Sequence, residues 1–172
     1  MFKLRAENEI FDSLERKERS LMRLDKLAIS DAIYLDFLAH YEGIGLTADL
    51  EIFGYEEALK ENRYLSEINS DIAAALWKIG RTGQGDEWFI HKEEGNILFY
   101  NHDGGEYSST IYFQDLKIYF FNFLQMALLY RDLEELLNQN DDEIEESAQT
   151  DFEERINSIQ PDLYRLYPFQ YF

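Results

Sequence analysis

Apolar residues alternate most regularly between residues 77 and 102. Aromatic and β-branched side chains fill the segments 77–81, 87–91 and 97–102, and glycines cluster between them. Alternation with a period of two, bounded by glycine-rich turns, is typical of antiparallel strands joined by tight connections. The pattern therefore predicts a three-stranded meander around which the rest of the chain is arranged.

The pairing of these strands follows from burial. A four-residue loop, 82–85, sets Trp77 opposite Ile90 and Ile79 opposite Trp88, and it keeps Lys78 off the apolar face. A turn at Glu94-Gly95 sets Ile90 opposite Phe99. Because alternate residues share a face, one face is expected to form the core and the other to be mixed and only half covered. The core face carries Trp88, Ile90, Ile97 and Phe99, and the mixed face carries Glu87, Phe89, His91, Leu98, Tyr100 and His102.

Helical periodicity appears on both sides of the meander. The sequence predicts helices over about 6–26, from an N-cap at Ser30 to Gly43, from Tyr55 to Lys60, and over about 152–159. A further helix over about 116–137, capped by Asp115, is apolar almost all round in its first half, so it must be buried across the tryptophan face. Two strands are expected at 50–53 and 110–113, and a polar connection at 66–70.

The C-terminal part differs in composition from the rest. Between Asp132 and Glu154 there are 11 acidic residues and no Lys, Arg or His, and 138–149 is expected to be a flexible loop. The aromatic tail 161–172 is expected to dock on the domain or on a second copy, which leaves homodimerisation open. We predict one α+β domain, a mainly antiparallel sheet packed against several helices, with an N-terminal helix at 1–27, a core at 28–137, and an acidic loop, short helix and packed tail at 138–172.

Composition excludes several classes of protein. Cysteine is absent, so there is neither a disulfide framework nor a thiolate zinc site. The N-terminus lacks an apolar signal core, and the longest apolar run, 118–130, is too short to span a bilayer, which favours a cytoplasmic location.

The formal net charge is −19. A field of that sign repels nucleic acid and anionic membranes and attracts basic proteins.

Sequence motifs point to no catalytic residue and no cofactor. The segment 80–85 is glycine-rich like a phosphate loop, but it lacks the Gly-Lys-Ser/Thr ending and precedes a strand rather than a helix. A hairpin loop is the better interpretation.

An alternative function for the chain is that of a metal-binding enzyme that uses His91 and His102 beside Asp103. In the predicted register the two histidines lie roughly 13 Å apart, and a two-residue change of register could make them neighbours.

The order of several short motifs resembles the SUKH superfamily, the group of Smi/Knr-type cell-wall regulators and bacterial immunity proteins. The resemblance covers about residues 28–137. It rests on the helix motif 36–43, a strand leading into an acidic helix at 50–59, the Trp-x-Ile-Gly strand at 77–80, the Gly-x-Gly-Asp turn at 83–86, the Trp-Phe-Ile strand at 88–90, the strand end His102-Asp103, and the aromatic helix 120–129.

This resemblance implies a non-enzymatic protein-binding domain, specifically an immunity protein that neutralises a cognate toxin, which could be a nuclease. A regulatory or scaffold module of the same fold, bound to a cellular protein, is the alternative. The negative charge fits a basic partner, because nucleases bind phosphate in basic clefts. Carboxylates expected at the interface are Glu42, Asp49, Asp86, Glu87, Asp103, Glu106, Asp141, Asp142, Glu143, Glu145 and Glu146.

Overall fold

The computed structural model describes residues 2–21, 24–140 and 144–172. Within them the chain forms one α+β domain with a six-stranded antiparallel sheet of order β1-β2-β3-β4-β5-β6. The helices are α1 (Glu7–Asp12), α2 (Ala32–His40), α3 (Tyr55–Ile68), α4 (Ser70–Ala75), α5 (Phe120–Gln139), α6 (Glu146–Ile159) and α7 (Leu163–Leu166). The strands are β1 (Ile44–Thr47), β2 (Leu50–Ile52), β3 (Leu76–Arg81), β4 (Glu87–His91), β5 (Ile97–Tyr100) and β6 (Gln114–Asp115).

The predicted meander is present as β3, β4 and β5. Trp77 pairs with Ile90 as expected, but a bulge between Lys78 and Gly80 sets Gly80, not Ile79, opposite Trp88. On the other side Ile90 pairs with Ile97, two residues away from the predicted partner. A shift of two residues leaves every side chain on its predicted face. The prediction of the core face is therefore confirmed although the register was wrong.

The main core lies between this face of the sheet and α5. Trp88 is fully buried, and its ring centroid lies 5.1 Å from that of Phe123 on α5. The aromatic tail docks on its own domain: the ring of Tyr167 stacks on Tyr130 at 4.0 Å and lies parallel to Trp88 at 6.2 Å. Both predictions, a helix across the tryptophan face and a docked tail, are confirmed.

The opposite face of the sheet is better covered than predicted. Helix α3 runs to Ile68 rather than ending near Lys60, so it occupies most of the polar connection expected at 66–70, and α4 begins at Ser70. A second apolar cluster lies between these helices and the sheet, and it includes Leu65, Phe89 and Leu98. The prediction of a half-covered face was wrong because the extra helical turns supply the apolar side chains that cover it.

Three other helix predictions need correction. The N-terminal helix ends at Asp12, and the polar segment after it runs beside α2, where the Lys17 N–H donates to the carbonyl of His40. Helix α2 is capped by Asp31 rather than Ser30 and ends at His40 rather than near Gly43. The loop expected at 138–149 is helical at both ends, since α5 extends to Gln139 and α6 begins at Glu146, and residues 141–143 lie outside the described residues.

The region around β6 also differs from prediction. Residues Thr110–Tyr112 form a 3₁₀ turn, and the strand consists only of Gln114–Asp115. Asp115 does not cap α5, which begins at Phe120 after the N-cap residue Tyr119. The predicted helix at 152–159 is confirmed as the second half of α6.

Candidate functional site

Four of the predicted interface carboxylates meet at one end of the meander. Glu87 begins β4, Asp86 precedes it, and Asp103 and Glu106 lie in the loop that follows β5. Antiparallel pairing sets Glu87 opposite Tyr100, so the start of β4 and the end of β5 are adjacent. The sheet therefore brings together carboxylates that are up to twenty positions apart in the sequence.

A cavity of about 380 Å³ opens at this place, between the sheet end and the C-terminal half of α3. We call it the acidic groove. Its volume falls within the range of roughly 300–1,000 Å³ that is usual for ligand pockets. The groove is lined by Tyr64, Ile68, Asn69, Gly85, Glu87, Tyr100, His102, Gly105, Glu106 and Tyr107.

Asp86 is a structural residue and not an exposed interface residue. Its side chain is only 4% exposed, so its prediction as a surface contact was wrong. One carboxylate oxygen accepts the backbone N–H of His102 at 3.0 Å and contacts the His102 ring Nδ1 at 2.6 Å, and the other accepts the Thr82 hydroxyl at 3.2 Å. Buried carboxylates need such partners. Asp86 thereby ties the β3–β4 turn to the wall of the groove.

His102 projects from this wall with its side chain 47% exposed. Its ring Nε2 lies 3.4 Å from an oxygen of Asp103, so a carboxylate lies near each ring nitrogen. The hydrogen bond to Asp86 raises the pKa of His102. Burial opposes this effect, and the negative charges of Asp103 and Asp86 add to it, so the net direction is upward.

A buried lysine is paired with Glu87, one of the residues that line the groove. The Lys78 ammonium, 5% exposed, lies 2.5 Å from Glu87 and 3.4 Å from Glu61 on α3. One positive charge is therefore paired with two carboxylates. A charge held away from water needs such pairing to offset its lost hydration. Burial, and after it the negative charge of Glu87, raises the pKa of the Tyr107 hydroxyl beside them.

Helix α3 contributes the feature that the sequence analysis missed. Tyr64 and Ile68 lie one turn apart on the same face of the helix and are 57% and 53% exposed. The buried side of the helix is marked by Ala58 and Leu65 instead. The sequence pattern predicts an end of this helix near Lys60, so both residues fall outside the predicted helix.

The other predicted interface residues lie apart from the groove. Glu42 is exposed and pairs with Lys17 at 3.1 Å. Asp49 lies in the β1–β2 turn, where burial, with the charges of Glu134 and Asp86, raises its pKa. Glu145 and Glu146 are exposed at the start of α6, where a negative charge stabilises a helix. Asp141, Asp142 and Glu143 lie outside the described residues.

The two histidines of the metal hypothesis do not come together. His91 ends β4 beside the β4–β5 turn, whereas His102 lies beyond the opposite end of β5. The actual register moves them further apart than the predicted one, because Ile90 pairs with Ile97 instead of Phe99. Within 2–21, 24–140 and 144–172, no group of three His, Asp or Glu side chains could hold a metal ion.

No family model matches the chain, and no curated protein or solved structure shows significant similarity to it. Among the helices of the described segments, none combines the length and apolar character required to cross a bilayer. The fold and the groove thus define the chain as an α+β domain with an acidic, partly aromatic surface cleft.

Proposed function

We propose that this chain is a protein-binding domain of the SUKH type, an immunity protein that uses the acidic groove to bind a basic toxin and block it. The observation that carries the proposal is the coincidence of exposed apolar side chains, Tyr64 and Ile68, with the carboxylates Glu87 and Glu106 in one cleft. Exposed apolar groups at a cleft mark interaction sites, and tyrosine is enriched at the centres of protein interfaces.

The charge of the chain supports a basic partner. At −19 the molecule attracts cationic surfaces over a distance of about a Debye length, roughly 8 Å at physiological ionic strength. The binding surface of a nuclease for phosphate is one such surface. A domain that occupies it needs no chemistry of its own, because covering the cleft is sufficient to exclude the substrate.

The test is a titration against the protein encoded by the adjacent gene. We expect binding that weakens steeply as salt rises, and a further loss of affinity in Glu106→Gln and Tyr64→Ala, both of which alter exposed side chains. Glu93→Gln, an exposed charge at the opposite end of β4, is the matched control. Absence of binding at low salt, or equal effects of all three variants, would contradict the proposal.

A further inference from the structure

The apolar part of the acidic groove remains open to solvent. Tyr64 and Ile68 are more than half exposed, although neighbouring Leu65 on the same helix is fully buried. Tyr107, also in the groove lining, is half-buried and packs edge-on against Tyr100 with ring centroids 4.9 Å apart. The groove thus offers aromatic surface that the domain itself does not cover.

Its charges are only partly neutralised. Lys78 compensates Glu87 and Glu61 together, and it supplies one positive charge for two carboxylates. Glu106 is exposed, and it makes no ion pair with any of the residues that the structure describes. Asp103, 83% exposed, contacts only the His102 ring among the described ion pairs. The open mouth of the groove therefore has a negative potential that a cation would relieve.

The combination restricts the chemistry of the occupant. An anion would be repelled, and an uncharged apolar group would desolvate Glu106 without compensation. A lysine ammonium could pair with a carboxylate, but it is strongly hydrated and interacts less well with the face of an aromatic ring. A guanidinium is planar, stacks on aromatic faces and donates to a carboxylate in a bidentate manner. The groove offers both of the groups that a guanidinium binds.

We infer that the acidic groove is an arginine-binding site, in which an arginine side chain of a basic partner protein lies on the rings of Tyr64 and Tyr107 and donates to Glu87 and Glu106. This inference rests on the proposed function and names the side chain that the groove selects. A protein source is favoured over a free ligand because the net charge of −19 extends the attraction far beyond the groove.

The experiment uses the full chain, labelled with ¹⁵N, and two flexible peptides of equal length and charge, one containing arginine and the other lysine. We expect the arginine peptide to shift the amide signals of Tyr64, Glu106 and Tyr107, and to bind about three- to tenfold more tightly than the lysine peptide. N-acetylarginine amide is expected to shift the same signals at higher concentration.

Two variants and one control make the result specific. Tyr64→Ala and Glu106→Gln should each weaken binding of the arginine peptide about three- to tenfold, whereas Glu93→Gln should have a much smaller effect. Because all three side chains are exposed, the fold is expected to persist, and an unchanged spectrum outside the groove checks this. Equal affinity for both peptides, or shifts spread evenly over the acidic surface, would overturn the inference.

The test of the arginine site can fail independently of the test of the immunity function. If Glu106→Gln weakens binding of the adjacent-gene protein but Tyr64→Ala does not, the immunity function through the groove stands and the arginine site falls. If the arginine peptide binds the groove selectively but the adjacent-gene protein does not bind, the site stands and the proposed partner falls. A free-ligand site would show N-acetylarginine amide binding as tightly as the peptide, and this would overturn the choice of a protein source.

Discussion

The carboxylate of Asp31 accepts a hydrogen bond from the backbone N–H of Phe120, 89 positions later in the chain, at 3.2 Å. Its other oxygen accepts the N–H of Tyr34 at 2.9 Å. One side chain therefore caps the N-termini of both α2 and α5, the two helices whose aromatic residues Tyr34 and Phe120 pack edge-on 4.9 Å apart. The double cap fixes the relative position of the helix that covers the tryptophan face.

We predict that Asp31→Ala destabilises the domain by about 2 kcal/mol, the upper end of the effect of a single cap, because two helix N-termini lose their acceptor. Ser30→Ala is the matched control, since Ser30 is exposed and caps neither helix. Denaturant unfolding measures both. A loss in Asp31→Ala no larger than that in Ser30→Ala would mean that the double cap contributes little.

A second prediction concerns the bulge in β3. A Cβ on Gly80 would lie 2.1 Å from the carbonyl oxygen of Glu51 on β2, so no side chain fits there without separating the two strands. We expect Gly80→Ala to cost at least about 2 kcal/mol of folding free energy. Gly45→Ala on β1 is the control, because no atom of the described residues lies within 4 Å of its Cβ position, and it should be nearly neutral. Urea midpoints of the two variants provide the comparison.

This bulge also shows what the sequence could and could not predict. The faces of the meander were predictable, because Trp77, Trp88 and Ile90 fit only one side of the sheet. The pairing of Gly80 with Trp88 was not, because the close approach of Gly80 to β2 depends on a strand pair remote in sequence. The strand β1 and the helix α4 were missed because elements of four and six residues depend on tertiary contacts for their stability.

For the groove, the sequence identified Glu87 and Glu106 through charge alone. It could not separate them from the buried Asp86, because burial of a carboxylate depends on partners such as Thr82 and His102 that only the fold supplies. The sequence pattern also misses Tyr64, because it predicts an end of α3 near Lys60. Charge is thus visible in the sequence, whereas the convergence of charge with exposed aromatic surface is a property of the fold.

A third prediction distinguishes two tyrosines of the tail. The buried Tyr167 hydroxyl has no hydrogen-bond partner among the described residues, whereas the Tyr171 hydroxyl donates to Glu134 at 2.5 Å. A buried polar group without a partner destabilises the folded state. We therefore expect Tyr167→Phe to leave stability unchanged or raise it by about 1 kcal/mol, and Tyr171→Phe to lower it by about 1 kcal/mol. Thermal unfolding at matched pH measures both, and a clear loss in Tyr167→Phe would indicate a bridging water.

The last prediction concerns the pH dependence that His102 gives to stability. The hydrogen bond to Asp86, helped by the charge of Asp103, raises the pKa of His102 above its ordinary value of 6.5 in the folded chain. Because the folded state then binds the proton more tightly than the unfolded chain, the stabilisation is complete below pH 6.5 and is lost as pH rises through the folded-state pKa. We expect wild type to exceed His102→Gln in melting temperature at about pH 5, by a margin that decreases towards about pH 9.

In an Asp86→Asn background, His102→Gln should show a much weaker pH trend, because the principal partner of the imidazolium is gone. A margin between wild type and His102→Gln that grows with pH would show that folding lowers the pKa of His102, and it would contradict the prediction.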